Sequence, residues 1–97
     1  MSVSNALLTS RRLNLASKVR IRYDRKAERF MLLYPERGLV LDEIAAEVVR
    51  LCVSGRTVGA VIEELASRRG QDRSRLEHEV TRLLNSLLAR GLLHQES

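Results

Sequence analysis

The sequence has few aromatic side chains: Tyr23, Phe30 and Tyr34 are the whole set, and tryptophan is absent. Proteins that bind single-stranded nucleic acid stack bases on several exposed rings, so this shortage argues against that class. The single cysteine, Cys52, excludes an internal disulfide and any metal site built from several cysteines. No stretch approaches the roughly eighteen apolar residues of a membrane-spanning helix, and the first residues lack a signal-peptide pattern. We therefore expect a soluble, cytoplasmic protein without a membrane partner.

Side chains that carry catalysis do not form a recognisable set. His78 and His94 have no second ligand at metal-binding spacing. Cys52 falls on the apolar side of a helical pattern, where an inert core thiol is expected. Adjacent residues of a helix, such as Glu63 and Glu64, direct their carboxylates apart. We therefore expect these two side chains to lie on a solvated helix face and not to form a catalytic pair. The isolated glycines form no phosphate-binding loop, so we predict no enzyme activity, no metal and no cofactor.

The net charge of +5 is unevenly distributed along the 97 residues. Residues 1–30 carry eight Lys and Arg against two Asp and Glu, a net charge of +6, whereas residues 31–97 carry nine against ten, a net charge of −1. We hypothesise that the basic amino-terminal part helps the protein to dock on an acidic surface of a partner.

Residues 1–17 contain scattered leucines, without caps or a steady period. This pattern is typical of a mobile arm. The alternative is that the leucines dock on the domain or on a neighbouring subunit, and a homodimer is left open. Residues 18–94 form the predicted domain, and residues 95–97 are a short tail.

The first half of the domain predicts a small antiparallel sheet. Residues 18–23 alternate between basic and apolar side chains, the period of a half-buried strand. A polar turn leads to a second strand at residues 30–34. Residues 35–38 combine a proline with a glycine and predict a turn, and residues 39–41 follow as a short strand at the sheet edge.

Three amphipathic helices follow. Each begins after a side chain that can accept hydrogen bonds from the first turn and ends near a glycine. The predicted starts are Asp42, Thr57 and a capping box of Ser74 with Glu77, and the predicted ends lie near Gly55, Gly70 and Gly91. Leu92 and Leu93 are expected to fold back on the core. A three-stranded antiparallel sheet followed by three helices is the outline of an α+β, winged-helix-turn-helix-like domain.

Two binding functions stay open from these patterns. The exposed face of the third helix could read DNA in the major groove, with Arg75, Arg82 and Asn85 as base readers. The balanced charge of residues 31–97 opposes this, because affinity for DNA comes largely from neutralised phosphates. Alternatively, the edge strand at residues 39–41 could pair with an extended peptide, although an edge strand is also often simply covered.

One stretch carries a resemblance to a known family. Residues 32–52, LLYPERGLVLDEIAAEVVRLC, together with residues 55–58 and 87–93, closely resemble the PqqD family of pyrroloquinoline quinone biosynthesis. The similarity covers roughly residues 18–93. Related PqqD-like domains serve other modified-peptide pathways, and they share the weaker parts of this pattern.

The resemblance implies a peptide chaperone, or precursor recognition element, without catalysis of its own. Such a protein binds the precursor peptide PqqA and presents it to the radical SAM enzyme PqqE, which crosslinks a glutamate and a tyrosine of the peptide. It implies no nucleic-acid partner. The peptide would bind as an added strand between the third strand and the third helix. The site residues implied are Leu39, Val40 and Leu41 on the strand and Arg75, Leu76, Val80, Arg82 and Leu83 on the helix.

The sequence departs from the family pattern in two places, after the first helix and before the first strand. Family members commonly have Cys-Asp-Gly after the first helix, whereas this chain has Val53 and Ser54 between Cys52 and Gly55. The proline before the first strand is missing, and residues 1–17 have no dependable counterpart. The alternatives are therefore a recognition element of another modified-peptide pathway and a winged-helix DNA-binding regulator.

Overall fold

The computed structural model of the protein describes residues 5–96. These residues form four helices and two antiparallel sheets, with strand orders β2-β3-β4 and β1-β5. The α+β class is thus confirmed, with one helix and two strands beyond those predicted. In chain order the elements are α1 (Asn5–Thr9), β1 (Leu13–Leu15), β2 (Arg20–Asp24), β3 (Arg29–Tyr34), β4 (Arg37–Leu41), α2 (Glu43–Cys52), α3 (Val58–Arg69), α4 (Arg73–Ala89) and β5 (Leu93–Gln95).

The β3–β4 hairpin closes through a turn of two residues, Pro35 and Glu36, between the paired residues Tyr34 and Arg37. Proline presets the first turn position, and Glu36 has φ of 69°, so the geometry is that of a type II turn. The predicted turn over residues 35–38 was therefore too long, because Glu36 takes the positive φ that we expected of Gly38. Gly38 lies within β4.

The three long helices, α2, α3 and α4, each begin after a residue whose side chain caps the helix. The capping residue of α4 differs from the predicted one. The side chain of Asp42 accepts a hydrogen bond from the Ala45 N–H at 2.7 Å, and Thr57 caps α3. The predicted capping box at Ser74 was wrong: α4 begins at Arg73 and is capped by Asp72. An aspartate in this place both accepts a hydrogen bond and puts a negative charge at the positive end of the helix dipole.

The end of α4 directs the chain back to the core. Gly91 has φ of 75°, its N–H donates to the carbonyl of Leu88, and the Leu92 N–H donates to that of Leu87, each at 3.0 Å. This is the Schellman arrangement, which favours a glycine at the left-handed position. Leu92 and Leu93 are each 3% exposed, so the predicted return to the core is confirmed.

The described part of the amino-terminal segment packs on the helices. Leu8 in α1 and Leu13 in β1 are buried, and β1 pairs with β5. The Val58 N–H donates to the Arg11 carbonyl at 2.9 Å, which joins the segment to the start of α3. Residues 5–16 thus lie packed on the rest of the domain. Residues 1–4 and Ser97 of the predicted tail lie outside the described residues.

One hydrophobic core connects all of these layers. Helix α2 packs against β3 and β4 on one side and against α3 and α4 on the other. Leu32, at the centre of the three-stranded sheet, is fully buried, as are Val48 and Val49 of α2. Because strand side chains alternate, the burial of Leu32 and Leu41 defines one face of the sheet as its core face. The opposite face is the outer face.

Candidate functional site

Strand β4 forms an open edge of the three-stranded sheet. Within residues 5–96, it pairs with β3 alone, in the strand order β2-β3-β4. The turn between Tyr34 and Arg37 directs the Arg37 N–H toward β3, and backbone groups alternate in direction from one residue to the next. The backbone N–H and C=O groups of Gly38 and Val40 therefore point away from the sheet. These four groups can pair with an added strand.

The residues of β4 leave this edge largely unguarded. Natural edge strands are usually blocked by charged side chains, prolines or bulges. Arg37 is the only charged residue of β4, and it lies at the first position, next to the turn. Strand β2, at the other edge of the same sheet, carries Arg20, Arg22 and Asp24 within five residues. Of the two edges, β4 is the one suited to strand addition.

Except for Val40, the predicted apolar site residues belong to a single hydrophobic cluster or pack against it. Leu41 is 3% exposed, and Leu76 and Val80 of α4 are each 1% exposed. These three side chains are core residues. Leu39 of β4 and Leu83 of α4 are only partly buried and pack against the same core. Leu39 lies on the edge strand itself and Leu83 on α4, and both side chains stay partly accessible.

The remaining predicted residues lie outside this cluster. Val40 is 51% exposed, and its side chain lies on the outer face of the sheet. The side chain of Arg75 is 83% exposed, with its Nε 3.7 Å from a carboxylate oxygen of Glu79 one turn along α4. Arg82 is also exposed on α4. The structure thus places the two arginines as surface charges, separate from the apolar part of the site.

Gly38 is a candidate site residue that the sequence prediction missed. Its backbone groups share the open edge with those of Val40, but the predicted turn over residues 35–38 removed it from the strand. A signal was present, because proline is favoured at the first of the two central positions of type I and type II turns. Counting the strand from such a turn places Gly38 at an outward-facing position.

The other reactive groups form no competing site among the residues described. Cys52 is fully buried, and this burial raises the pKa of its thiol to about 12. The neutral thiol is a poor nucleophile and a poor metal ligand. Across residues 5–96, no three or more His, Cys, Asp or Glu side chains gather where they could hold a metal ion. Within the same residues, no helix has the length and apolar character needed to cross a membrane.

A small α+β domain with an unguarded edge strand beside a partly open apolar surface has the features of domains that recruit an extended peptide as an added strand. Comparison with known families narrows this class. The family model described as coenzyme PQQ synthesis protein D (PqqD) matches residues 29–93. The chain belongs to the PqqD family.

Individual relatives agree with this assignment. The chain is 39% identical over 79 residues to a protein of Rhodopseudomonas palustris (strain TIE-1) named PqqA binding protein, covering 81% of this chain and 78% of the relative. A protein of the same name from Xanthomonas oryzae pv. oryzae is 35% identical over 81% of this chain and 86% of its own. Among solved structures, the PqqD truncation of Methylobacterium extorquens PqqCD superposes with a TM-score of 0.73 and 31% identity, covering 84% of this chain and 87% of that one. That structure is described as a stand-alone recognition element for ribosomally synthesised, modified peptides.

Proposed function

We propose that this protein is a non-catalytic peptide chaperone of pyrroloquinoline quinone biosynthesis, which binds the precursor peptide PqqA and presents it to the radical SAM enzyme PqqE. The observation that carries the proposal is the open edge of β4 with its outward-facing groups at Gly38 and Val40. The names of the relatives, PqqA binding protein, support the identity of the peptide.

In this proposal an extended segment of PqqA becomes the fourth strand of the sheet. Backbone groups of Val40 pair with the peptide, and each hydrogen bond contributes about 0.5–1.5 kcal/mol net. Side chains of the peptide contact the accessible apolar groups of Leu39 and Leu83. Leu41, Leu76 and Val80 hold the strand and α4 in place beneath them. Arg75 and Arg82 offer charge to acidic residues of the peptide.

Strand pairing suits a protein that must hold a peptide and then release it. Main-chain hydrogen bonds supply affinity with little demand on sequence, while a few side-chain contacts fix the register. The peptide stays extended and its other side chains stay available to the enzyme.

The chaperone acts in the cytoplasm, as a monomer or a homodimer. In a winged-helix-like interpretation of the fold, α3 and α4 correspond to the helix-turn-helix and the β2-β3-β4 sheet corresponds to the wing.

Replacement of Val40 by proline tests the edge. Proline removes the outward-facing N–H and puts a ring where the peptide backbone would pair, yet it is tolerated on an edge strand. We expect Val40→Pro to raise the dissociation constant of synthetic PqqA at least about fivefold, the equivalent of one lost backbone hydrogen bond. The measurement is isothermal titration calorimetry on a variant whose circular dichroism matches the wild type.

The matched control is Val40→Thr, which keeps the N–H and the branched side-chain shape that suits a strand. It should bind PqqA with nearly the affinity of the wild-type protein. If the folded proline variant and the threonine variant bound PqqA equally well, β4 would be excluded as the peptide-binding site. A peptide from another modified-peptide pathway, titrated in parallel, separates the PqqA proposal from a PqqD-like element with a different precursor.

The DNA-binding alternative has little support from the helix that would read the groove. On α4, Arg73 is in ion pairs with Glu63 and Glu77, and Arg75 lies next to Glu79. These carboxylates would have to approach phosphates, which costs electrostatic energy. We therefore retain peptide binding as the single proposed function.

A further inference from the structure

The outer face of the three-stranded sheet carries an apolar stripe that the core does not use. Leu32 and Leu41 point into the core, so Met31, Leu33 and Val40 point to the opposite side. Met31 and Leu33 are only partly buried and do not belong to the hydrophobic cluster or to the side chains packed against it. Val40 is 51% exposed.

The apolar stripe is continuous because Gly38, which lies among Met31, Leu33 and Val40, has no side chain that would separate them. A Cβ atom placed at Gly38 would come within 3.0 Å of Met31 Cε and 3.4 Å of Leu33 Cδ2. The ends of both side chains therefore lie over the glycine backbone. Two shallow depressions run side by side along this part of the sheet, and both are lined by Arg22 and Leu33. The surface offers space for side chains of a partner.

Unpaired cations border the stripe. Arg22 is opposite Met31 in the strand register, and Arg20 is opposite Leu33. Within residues 5–96, neither arginine is in an ion pair, and the same holds for Lys18, Arg25, Lys26 and Arg29. The Asp24 carboxylate accepts hydrogen bonds from the backbone N–H groups of the turn, at 3.0 Å from Lys26 and 3.4 Å from Ala27.

The ion pairs of the described residues lie away from this surface. Salt bridges in the described residues connect side chains from residue 47 onward, on the helical side of the domain. They are Arg56–Glu64, Arg68–Glu47, Arg68–Glu64, Arg69–Glu47, Arg73–Glu63, Arg73–Glu77 and Arg75–Glu79. Carboxylates therefore neutralise much of the positive charge on the helices but little of that on the sheet.

We infer that this outer face, defined by Arg20, Arg22, Met31, Leu33 and Val40, is a second docking surface, whose partner is a protein surface that presents carboxylates around an exposed apolar side chain. An apolar centre with a charged rim is the usual composition of a protein interface. A nucleic acid would match the cations but leave the apolar stripe without contacts.

The inference rests on the proposed function for the identity of the occupant, which is the enzyme that receives the peptide. The peptide then pairs with the edge of β4 while the enzyme covers the outer face of the same sheet. Both partners would bind at once, on adjoining surfaces. The enzyme would contact the peptide where it leaves the edge strand.

The test compares two double variants that each remove two positive charges. Arg20→Gln with Arg22→Gln changes the outer face, and Arg11→Gln with Arg90→Gln changes exposed arginines elsewhere that are in no ion pair with the residues described. Exposed ion pairs contribute about 0.2–1 kcal/mol each, so we expect the first variant to bind PqqE about two- to thirtyfold more weakly. The second should bind nearly as the wild type does. The difference should shrink between about 50 and about 500 mM salt.

A third variant, Met31→Thr with Leu33→Thr, tests the stripe. It introduces β-branched side chains, which suit a strand, and removes apolar surface outside the core, so we expect about tenfold weaker binding of PqqE. Binding of PqqA is measured on every variant and should stay within about twofold, because the backbone of β4 is unchanged.

The outcomes separate the two proposals. If the wild-type protein bound neither PqqA nor PqqE, the proposed function would fail. If it bound both, and the two arginine double variants weakened PqqE equally, the outer face would be excluded as the docking surface. Binding of duplex DNA or of anionic lipid vesicles that depended on Arg20 and Arg22, with PqqE binding unchanged, would likewise overturn the inference.

Discussion

Leu8 offers a sharp test of how the amino-terminal segment contributes to the fold. The five-residue helix α1 cannot be stable by itself, because isolated helices need roughly 12–15 residues. Contacts with α3 and α4 must hold it in place. Leu8 is fully buried in these contacts, whereas Leu7, its neighbour on the same helix, is 54% exposed. The two leucines form a matched pair.

Truncation of a fully buried leucine to alanine costs about 2–5 kcal/mol, through lost transfer energy and the cavity left behind. A domain of this size has a total stability of about 5–15 kcal/mol, so Leu8→Ala should remove a large fraction of it. Leu7→Ala should cost less than about 0.5 kcal/mol, as for most surface changes. The expected order therefore depends only on which leucine is buried.

Urea unfolding followed by circular dichroism measures both variants. Leu8→Ala should lower the denaturation midpoint strongly with an unchanged slope, while Leu7→Ala should give a curve close to the wild type. Equal and small effects of the two substitutions would contradict the docked arrangement of residues 5–16. They would instead support the mobile arm.

Two further predictions concern the turn and the thiol. Glu36 has φ of 69°, where a side chain is strained, so Glu36→Gly should raise the free energy of unfolding by about 0.5–1 kcal/mol in the same urea assay; a loss of stability would argue against the type II turn. Burial raises the pKa of Cys52 from 9.0 to about 12, so the native thiol should resist Ellman's reagent at pH 8 and react after unfolding. The folded state holds this proton more tightly, so the contribution to stability is complete below pH 9 and declines as the pH rises toward 12; fast native labelling would contradict the burial.

The sequence predicted best where local chemistry decides the structure. Asp42 and Thr57 cap their helices, and Gly91 takes the left-handed position that closes α4, because these effects act within one helical turn. The start of α4 was misplaced because Asp72 and Ser74 are both good caps. Such competition is settled by the packing of the whole helix.

Long-range contacts were harder to predict. Strands β1 and β5 are three residues each and lie at opposite ends of the chain. Neither has the length to show an alternating pattern, and their pairing depends on the burial of Leu8, Leu13 and Leu93 in a common core. No local signal connects them.

The candidate site was predictable in part. The edge position of β4 followed from the order of the strands, but the direction of each backbone group required the length of the preceding turn. The accessibility of Leu39 and Leu83, in contrast to the burial of Leu76 and Val80, depends on how α2 lies between the sheet and α4. The sequence contained one signal for the apolar stripe. Residues 30–34 are apolar at every position, whereas a strand with one solvated face alternates apolar and polar residues.

Amide hydrogen exchange at β4 tests the central claim most directly. Leu39 and Leu41 direct their N–H groups to β3, while Gly38 and Val40 direct theirs to the open edge. With saturating PqqA, the exchange of the Val40 and Gly38 amides should slow markedly, and that of the Leu39 and Leu41 amides should change little. Protein saturated with PqqA in which the Val40 amide exchanges as fast as in the free state would contradict strand addition at this edge.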